Sequence, residues 1–265
     1  MKTRIVLLTI AFVVAGSCGP AAFAFDPMGP ATAGQRGLGR ASIGVEQAWS
    51  RMDIEADGIS SLDILTDTIE DIKVSKTYVN LGLGTSDNSE VFLRLGVGEA
   101  DPDRGDNADN IGGYVGKSDE SFLVGGGAKF TLCRQEGIQW GLLAQVSWAN
   151  LDFDEKSYSI NGHSATLSTD ADLVEVQIAV GPTVGLGDAL AVYGGPFLHF
   201  VGGEFDLDGT IDGSGSEITS DLEQESILGG YVGLQLDVTQ NAALSAEFQG
   251  TGAGYAVGAS LRYKY

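Results

Sequence analysis

The sequence predicts an all-β protein, an antiparallel up-and-down transmembrane β-barrel of about ten strands, with eight as the alternative count. Three observations predict it. Apolar and polar residues alternate with period two over most of the chain after residue 37. The apolar face of the clearest runs is about 9–11 residues long, the length that a tilted strand needs to cross a bilayer. The connections alternate between long and short, as they do when hairpins keep tight turns on one side of a membrane and loops on the other.

The first element is a leader. Lys2 and Arg4 form a basic start, Ile5 to Ala15 an apolar core, and Ala22-Phe23-Ala24 a small-x-small cleavage pattern. These features predict a secretory signal peptide over residues 1–24, cut after Ala24, whose core is too short for a stable membrane anchor. The rival lipoprotein reading, at Ala15-Gly16-Ser17-Cys18, has alanine where a larger aliphatic residue is usual. Cleavage takes the formal charge from −21 to −23 and leaves Cys133 alone, so no internal disulfide can form.

Residues 25–37 (FDPMGPATAGQRG) read as a short, flexible periplasmic lead-in, and residues 38–265 as the barrel. Strands are expected near 38–56, 72–84, 90–100, 120–133, 137–153, 170–186, 189–206, 224–238, 242–250 and 254–265. In the last, Tyr255, Val257, Ala259, Leu261, Tyr263 and Tyr265 share one face. In the fifth, Ile138, Trp140, Leu142, Ala144, Val146 and Trp148 do so, and in the sixth Val174, Val176, Ile178, Val180, Pro182, Val184 and Leu186. Short turns are expected at 85–89, 134–136, 187–188 and 239–241, and long loops at 57–71, 101–119, 154–169 and 207–223. Within the first loop, Leu62, Leu65, Ile69 and Ile72 have the spacing of a short amphipathic helix, although strand extensions fit equally well.

Composition removes other classes. An acidic chain lacks the basic footprint of a nucleic-acid binder. The 39 glycines would each cost about 0.5–1 kcal/mol inside helices, which argues against a helical bundle. A secreted β-sandwich also alternates, but it has edge strands to protect, and its connections need not alternate in length. Here the faces opposite the apolar stripe carry many Gly, Ala, Ser and Gln, which suit a narrow, crowded lumen. Phe122, Phe130, Trp140, Trp148, Tyr255 and Tyr263 fall near strand ends on the outward face, where amphipathic rings meet the membrane interface.

The leader, the loop rhythm and the C-terminal Leu261-Arg262-Tyr263-Lys264-Tyr265 resemble the small bacterial outer-membrane β-barrel families, of the outer membrane protein A transmembrane-domain and opacity types. The resemblance covers about residues 38–265. It implies an outer-membrane location and contact with outer-membrane lipid and lipopolysaccharide. It also implies assembly by the barrel-assembly machinery, a monomeric state and no cofactor. That machinery reads a terminal aromatic residue preceded by apolar residues at every second position, here Tyr265, Tyr263 and Leu261. The usual terminal residue is Phe, from which Tyr265 departs.

Inward charges are costly unless paired. Glu46, Glu247 and Arg262 fall on neighbouring strands once the last closes on the first, and Arg94 and Lys129 lie at a comparable level. We expect a lumenal network of these five. It either fills and stiffens the lumen or forms a constriction that sets solute leakage, as the salt-bridge plug of the resembled barrels implies.

The four long loops carry 17 acidic and 3 basic residues, a pattern that suits solvated loops. Weak Ca²⁺ candidates are Asp101, Asp103 and Asp106. Asp53 to Gly58 and the trio Asp206, Asp208 and Asp212 are weaker still, and no EF-hand is complete. Arg104-Gly105-Asp106 matches an adhesion tripeptide, a match short enough to arise by chance. His199, expected inward near Glu204, and His163 beside Ser164 lack a surrounding catalytic signature. The expected function is structural or surface-interacting and non-enzymatic. The alternatives are a narrow passive pore for small solutes and a surface adhesin acting through the acidic loops.

Overall fold

The structure, a computed structural model, describes residues 25–34, 37–57, 68–102, 117–160, 163–211, 214–223 and 227–265. Eleven strands are found among them: β1 (Ala41–Asp57), β2 (Thr68–Gly84), β3 (Ser89–Pro102), β4 (Ser121–Gln135), β5 (Ile138–Ile160), β6 (His163–Gly185), β7 (Leu190–Ile211), β8 (Ser214–Glu223), β9 (Leu228–Asp237), β10 (Ala242–Thr251) and β11 (Gly254–Lys264). All neighbours are antiparallel. The sheet closes where β11 pairs with β1, from Ser42↔Lys264 to Met52↔Gly254. β8 and β9 share one position in the wall, so the barrel has ten staves.

Alternation decides which way each side chain points. On β3, Val91, Leu93, Leu95 and Val97 face out and are each more than 40% exposed, while Glu90, Phe92 and Arg94 face in and are buried. Trp49, Val79, Leu81, Phe122, Trp148, Ile178, Phe200, Val232, Leu244 and Leu261 continue the exposed apolar surface around the wall. Such a belt is stable only against hydrocarbon, and closure leaves no backbone edge unpaired within it.

At the short-turn end, Gln135 and Ile138 are joined through Gly137, whose φ of 75° suits a residue without a Cβ. Gly187, at φ 96°, serves the β6–β7 turn in the same way. At the opposite end the strands outrun the expected loops. β5 and β6 pair as far as Ile160↔His163, and β7 and β8 as far as Ile211↔Ser214. The predicted loops 154–169 and 207–223 are therefore largely hairpin ladder. Antiparallel pairing satisfies the backbone wherever two strands continue, with or without an apolar stripe, so hydropathy alone ended these strands too early. The strand expected over 224–238 is β9, and residues 224–226 lie outside the described set. Residues 61–67 of the suggested helix also lie outside it, and Thr68 to Ile72 begin β2.

The wall is not uniform in height. The β10–β11 hairpin turns at Gly252 and Ala253, and beyond it β8 pairs directly with β1 through Glu55↔Glu223 to Asp57↔Asp221. Toward this end the lumen is filled by Ile72, Val74, Leu123, Leu151, Leu173 and Val201, all buried. A cavity of about 20 Å³ remains there, room for about one water.

A plugged lumen as the candidate functional site

Residues 25–34 do not hang below the barrel as the flexible lead-in that the sequence suggested. They run inside it, from Phe25 in mid-lumen down to Gly34 near the short-turn rim. Phe25, Asp26, Met28, Ala31, Thr32 and Ala33 are buried. The physical reason is that side chains of the barrel wall supply partners for many of the polar groups that the segment brings. Pro27 and Pro30 bring no amide N–H, which lowers the number of donors to satisfy.

Five of the remaining amides find carboxylates and a hydroxyl. Asp26 N donates to Glu175 at 2.9 Å. Met28 N and Gly29 N donate to the two oxygens of Glu247 at 2.6 and 2.7 Å. Ala33 N donates to Thr131, and Gly34 N to Glu90 at 2.8 Å. The carbonyls find cations and amides. Lys129 Nζ donates to Met28 O at 2.5 Å and to Pro30 O at 3.0 Å, and Arg94 donates to Pro27 O. Gln249 donates to Asp26 O at 2.9 Å.

Side chains of the segment are held as firmly. The Asp26 carboxylate pairs with Lys76 at 3.0 Å and accepts from Tyr78 Oη at 2.8 Å, and Lys76 also pairs with Glu175 at 2.6 Å. Phe25 stacks on His199 with ring centroids 4.5 Å apart and meets Phe197 edge-on. Phe25, Met28 and Ala31 join Leu143, Ala179, Tyr193, Phe197, Tyr231 and Ala256 in one apolar cluster. Gly141 makes room for the passing chain: a Cβ there would lie 2.6 Å from Ala31 O. Below the plug a vestibule of about 880 Å³ opens at the short-turn rim, lined by Arg40, Arg134, Asp237 and Lys264 among others.

All five residues of the expected lumenal network face inward, but their partners differ from the expectation. Glu46 pairs with Arg94 at 2.6 Å. Arg262 pairs with Glu90 at 3.1 Å rather than with Glu46 or Glu247. The register explains why. Glu46 lies opposite Ser260, whereas Arg262 lies opposite Gly44, nearer the rim. Glu247 and Lys129 are occupied by the plug backbone. The sequence reading missed Asp26, Lys76, Glu90 and Glu175. All have the inward phase of their strands or lie in the lead-in, and the unusual number of inward acids was the available signal.

His199 is fully buried beneath Phe25, with Nε2 3.2 Å from Glu175, while Glu204 is exposed on the outer face. Asp101 is exposed at the end of β3, and Asp103, Asp106 and the Arg104-Gly105-Asp106 tripeptide lie outside the described residues. Leu261, Tyr263 and Tyr265 face out and are exposed, and Tyr265 N donates to Ala41 O across the closing seam.

A closed wall with an apolar exterior and a polar, filled interior defines a transmembrane β-barrel of the outer-membrane class. Residues 68–264 match the outer membrane protein β-barrel domain family, and the chain belongs to that family and to the outer membrane. The fold is similar to that of the outer membrane protease OmpT from Escherichia coli (TM-score 0.50, 8% identity, covering 85% of this chain and 97% of that one). It also matches the translocator domain of the autotransporter NalP from Neisseria meningitidis (TM-score 0.49, 13% identity, covering 88% and 90%). A third match is Ail, the attachment invasion locus protein of Yersinia pestis (TM-score 0.30, 13% identity, covering 86% and 99%). Among curated proteins, none matches this chain in sequence.

Proposed function

We propose that this protein is a closed outer-membrane barrel with a structural and surface-interacting role, without enzymatic activity, and that its N-terminal segment keeps the lumen from conducting. The observation that carries the reading is the bonding of the plug: the amides of Asp26, Met28, Gly29, Ala33 and Gly34 are each held by a wall side chain. A pore would leave such donors to water. His199 is sealed under Phe25, so a substrate has no route to it from the lumen.

The surface role is supported by the hairpins β5–β6 and β7–β8, which carry the wall past the apolar belt. There Asp152, Asp170 and Asp206 form one outward row across three strands. In this reading the protein is a monomer in contact with outer-membrane lipid and lipopolysaccharide, assembled by the barrel-assembly machinery. The test is conductance in planar bilayers. The wild-type barrel is expected to give no discrete steps, and a chain lacking residues 25–34 is expected to give them. Stable wild-type channels would overturn the reading in favour of the passive pore.

A further inference from the structure

One seam of the wall is short of hydrogen bonds. β6 and β7 pair from Ala165↔Ile211 to Ala179↔Phe197, and again from Thr183↔Tyr193 to Gly185↔Ala191. The three positions between, Val180 to Pro182 facing Gly194 to Pro196, are in register but unpaired. Pro182 lies opposite Gly194 and Pro196 opposite Val180, and neither proline has an N–H to give. The ladders on their other sides are unbroken, at Trp140↔Pro182 with β5 and at Pro196↔Gly230 with β9, so both missing donors belong to the β6–β7 seam. The carbonyls left facing the prolines are those of Gly194 and Val180. A Cβ on Gly181 would run into Gly194 O, and one on Gly195 into Val180 O, so these oxygens rest against glycine Cα atoms instead. Such Cα–H···O contacts are worth about half an N–H···O bond. The gap lies in the apolar belt beside the exposed Ile178, Val180 and Leu198, where no water makes up the difference. The other breaks in pairing among the described strands, at Met52/Ile54, Thr131/Cys133 and Phe153/Lys156, lie toward strand ends.

The plug crosses the same seam on its inner side. On β6, Glu175 accepts from Asp26 N, and Thr183 Oγ1 meets Thr32 Oγ1 at 3.2 Å. On β7, His199 stacks on Phe25, and Phe197 meets that ring edge-on. Phe25, Met28 and Ala31 pack in one cluster with Ala179 of β6 and with Tyr193 and Phe197 of β7. Ala179, Thr183, Tyr193 and Phe197 are the four residues that bound the unpaired stretch. The segment therefore holds both strands on either side of the gap, through side chains rather than through the ladder.

We propose that β6–β7 is a built-in weak seam, where the wall parts toward the lipid before it does so elsewhere, and that the N-terminal plug is the strap that holds it closed. The proposal concerns the wall and stands whether or not the barrel conducts.

Amide hydrogen exchange of the detergent-solubilised barrel, read by NMR, tests both parts. The amides of Val180 and Gly194 share the phase of Pro182 and Pro196 along their strands. They should exchange roughly tenfold faster than those of Leu81 and Leu93 in the unbroken β2–β3 ladder, the difference that about one hydrogen bond makes. Pro182→Ala combined with Pro196→Ala returns both donors and should remove most of that difference. Equal exchange at the two seams, or a difference that the double variant leaves in place, overturns the weak seam. Phe25→Ala combined with Thr32→Val loosens the plug from both strands and leaves the wall sequence intact. It should speed exchange at Val180 and Gly194 and leave Leu81 and Leu93 as in the wild type. No change at the seam, or equal acceleration at all of these amides, overturns the strap. Should the combined variant fail to fold, Thr32→Val alone is read by the same criterion.

Discussion

Gly141→Ala isolates the plug from the wall. Gly141 lies on the inner face of β5, and a Cβ there would sit 2.6 Å from Ala31 O and closer still to Ala31 C and Thr32 N. Carbon contacts relax only at about 3.5–4.0 Å, so the plug must move by roughly 1 Å. It is not free to do so, because Lys129 holds Pro30 O, Thr131 holds Ala33 N and Glu90 holds Gly34 N on either side. Overpacking of this kind costs about 1–3 kcal/mol. At about 2 kcal/mol the population of undocked plug rises roughly thirtyfold. The wall is untouched, since the β5 backbone keeps its pairing with β4 and β6. The expected result is a barrel that still resists SDS until heated, but that opens intermittently in planar bilayers and is clipped by protease near its N-terminus. Gly185→Ala is the control, because its Cβ would meet nothing nearer than 3.9 Å. A Gly141→Ala protein as silent and as protease-resistant as Gly185→Ala would refute the plug as described.

Lys76→Met leaves Asp26 and Glu175 buried without their shared cation, and unfolding in urea should show a loss of about 3–5 kcal/mol. Arg262→Ala removes one partner of Glu90 near the rim; it should lower stability less, because the side chain is partly open to the vestibule, and solute leakage should stay unchanged while the plug remains docked. Asp170 is held above its ordinary 3.8 by partial burial first and then by Asp152, Asp206 and Asp208. A carboxyl with a raised folded-state pKa penalises the folded state above that pKa, and the penalty disappears as pH falls to 3.8 and below. Asp170→Asn should therefore slow proteolysis of the β5–β6 hairpin at neutral pH, with no effect in strong acid. Removing Tyr265 deletes the bond to Ala41 O at the seam and the terminal aromatic, and the fraction of heat-modifiable barrel in cells should drop.

The fold was legible because the membrane imposes one rule on every stave. Residues such as Leu93 and Leu95 must face hydrocarbon, and Arg94 between them must not, so period two survives from β1 to β11. The plug was not legible because the lumen imposes no period. Asp26 and Gly34 are satisfied by Lys76, Glu175 and Glu90, which lie on three different strands far away in sequence. A proline- and glycine-containing segment such as 25–34 has the same composition whether it is bathed in water or held by side chains. Inward residues were correctly phased for the same reason as outward ones, but their pairing depends on register and on what occupies the centre, which explains why Arg262 meets Glu90.

The polar interior also answers a constraint that the folded state alone does not set. Filling the lumen with leucine would avoid buried charges, and replacing buried ion pairs by packed apolar groups often stabilises a fold. In β5 and β6, however, Gln145, Ser147, Glu175 and Gln177 separate the outward Val146, Trp148, Val174, Val176 and Ile178. If those inward positions were also apolar, both strands would become long continuous apolar stretches, the pattern that reads as a spanning helix. Alternation thus keeps each strand from being apolar on both faces before the barrel closes, and leaves a lumen lined with charges that need partners. The N-terminal segment supplies them: its amides meet Glu175, Glu247 and Glu90, and its carbonyls meet Lys129 and Arg94. A wall of this kind therefore favours an internal partner rich in unpaired backbone, and a proline-containing extended segment that forms no secondary structure of its own is the simplest chain that meets the need.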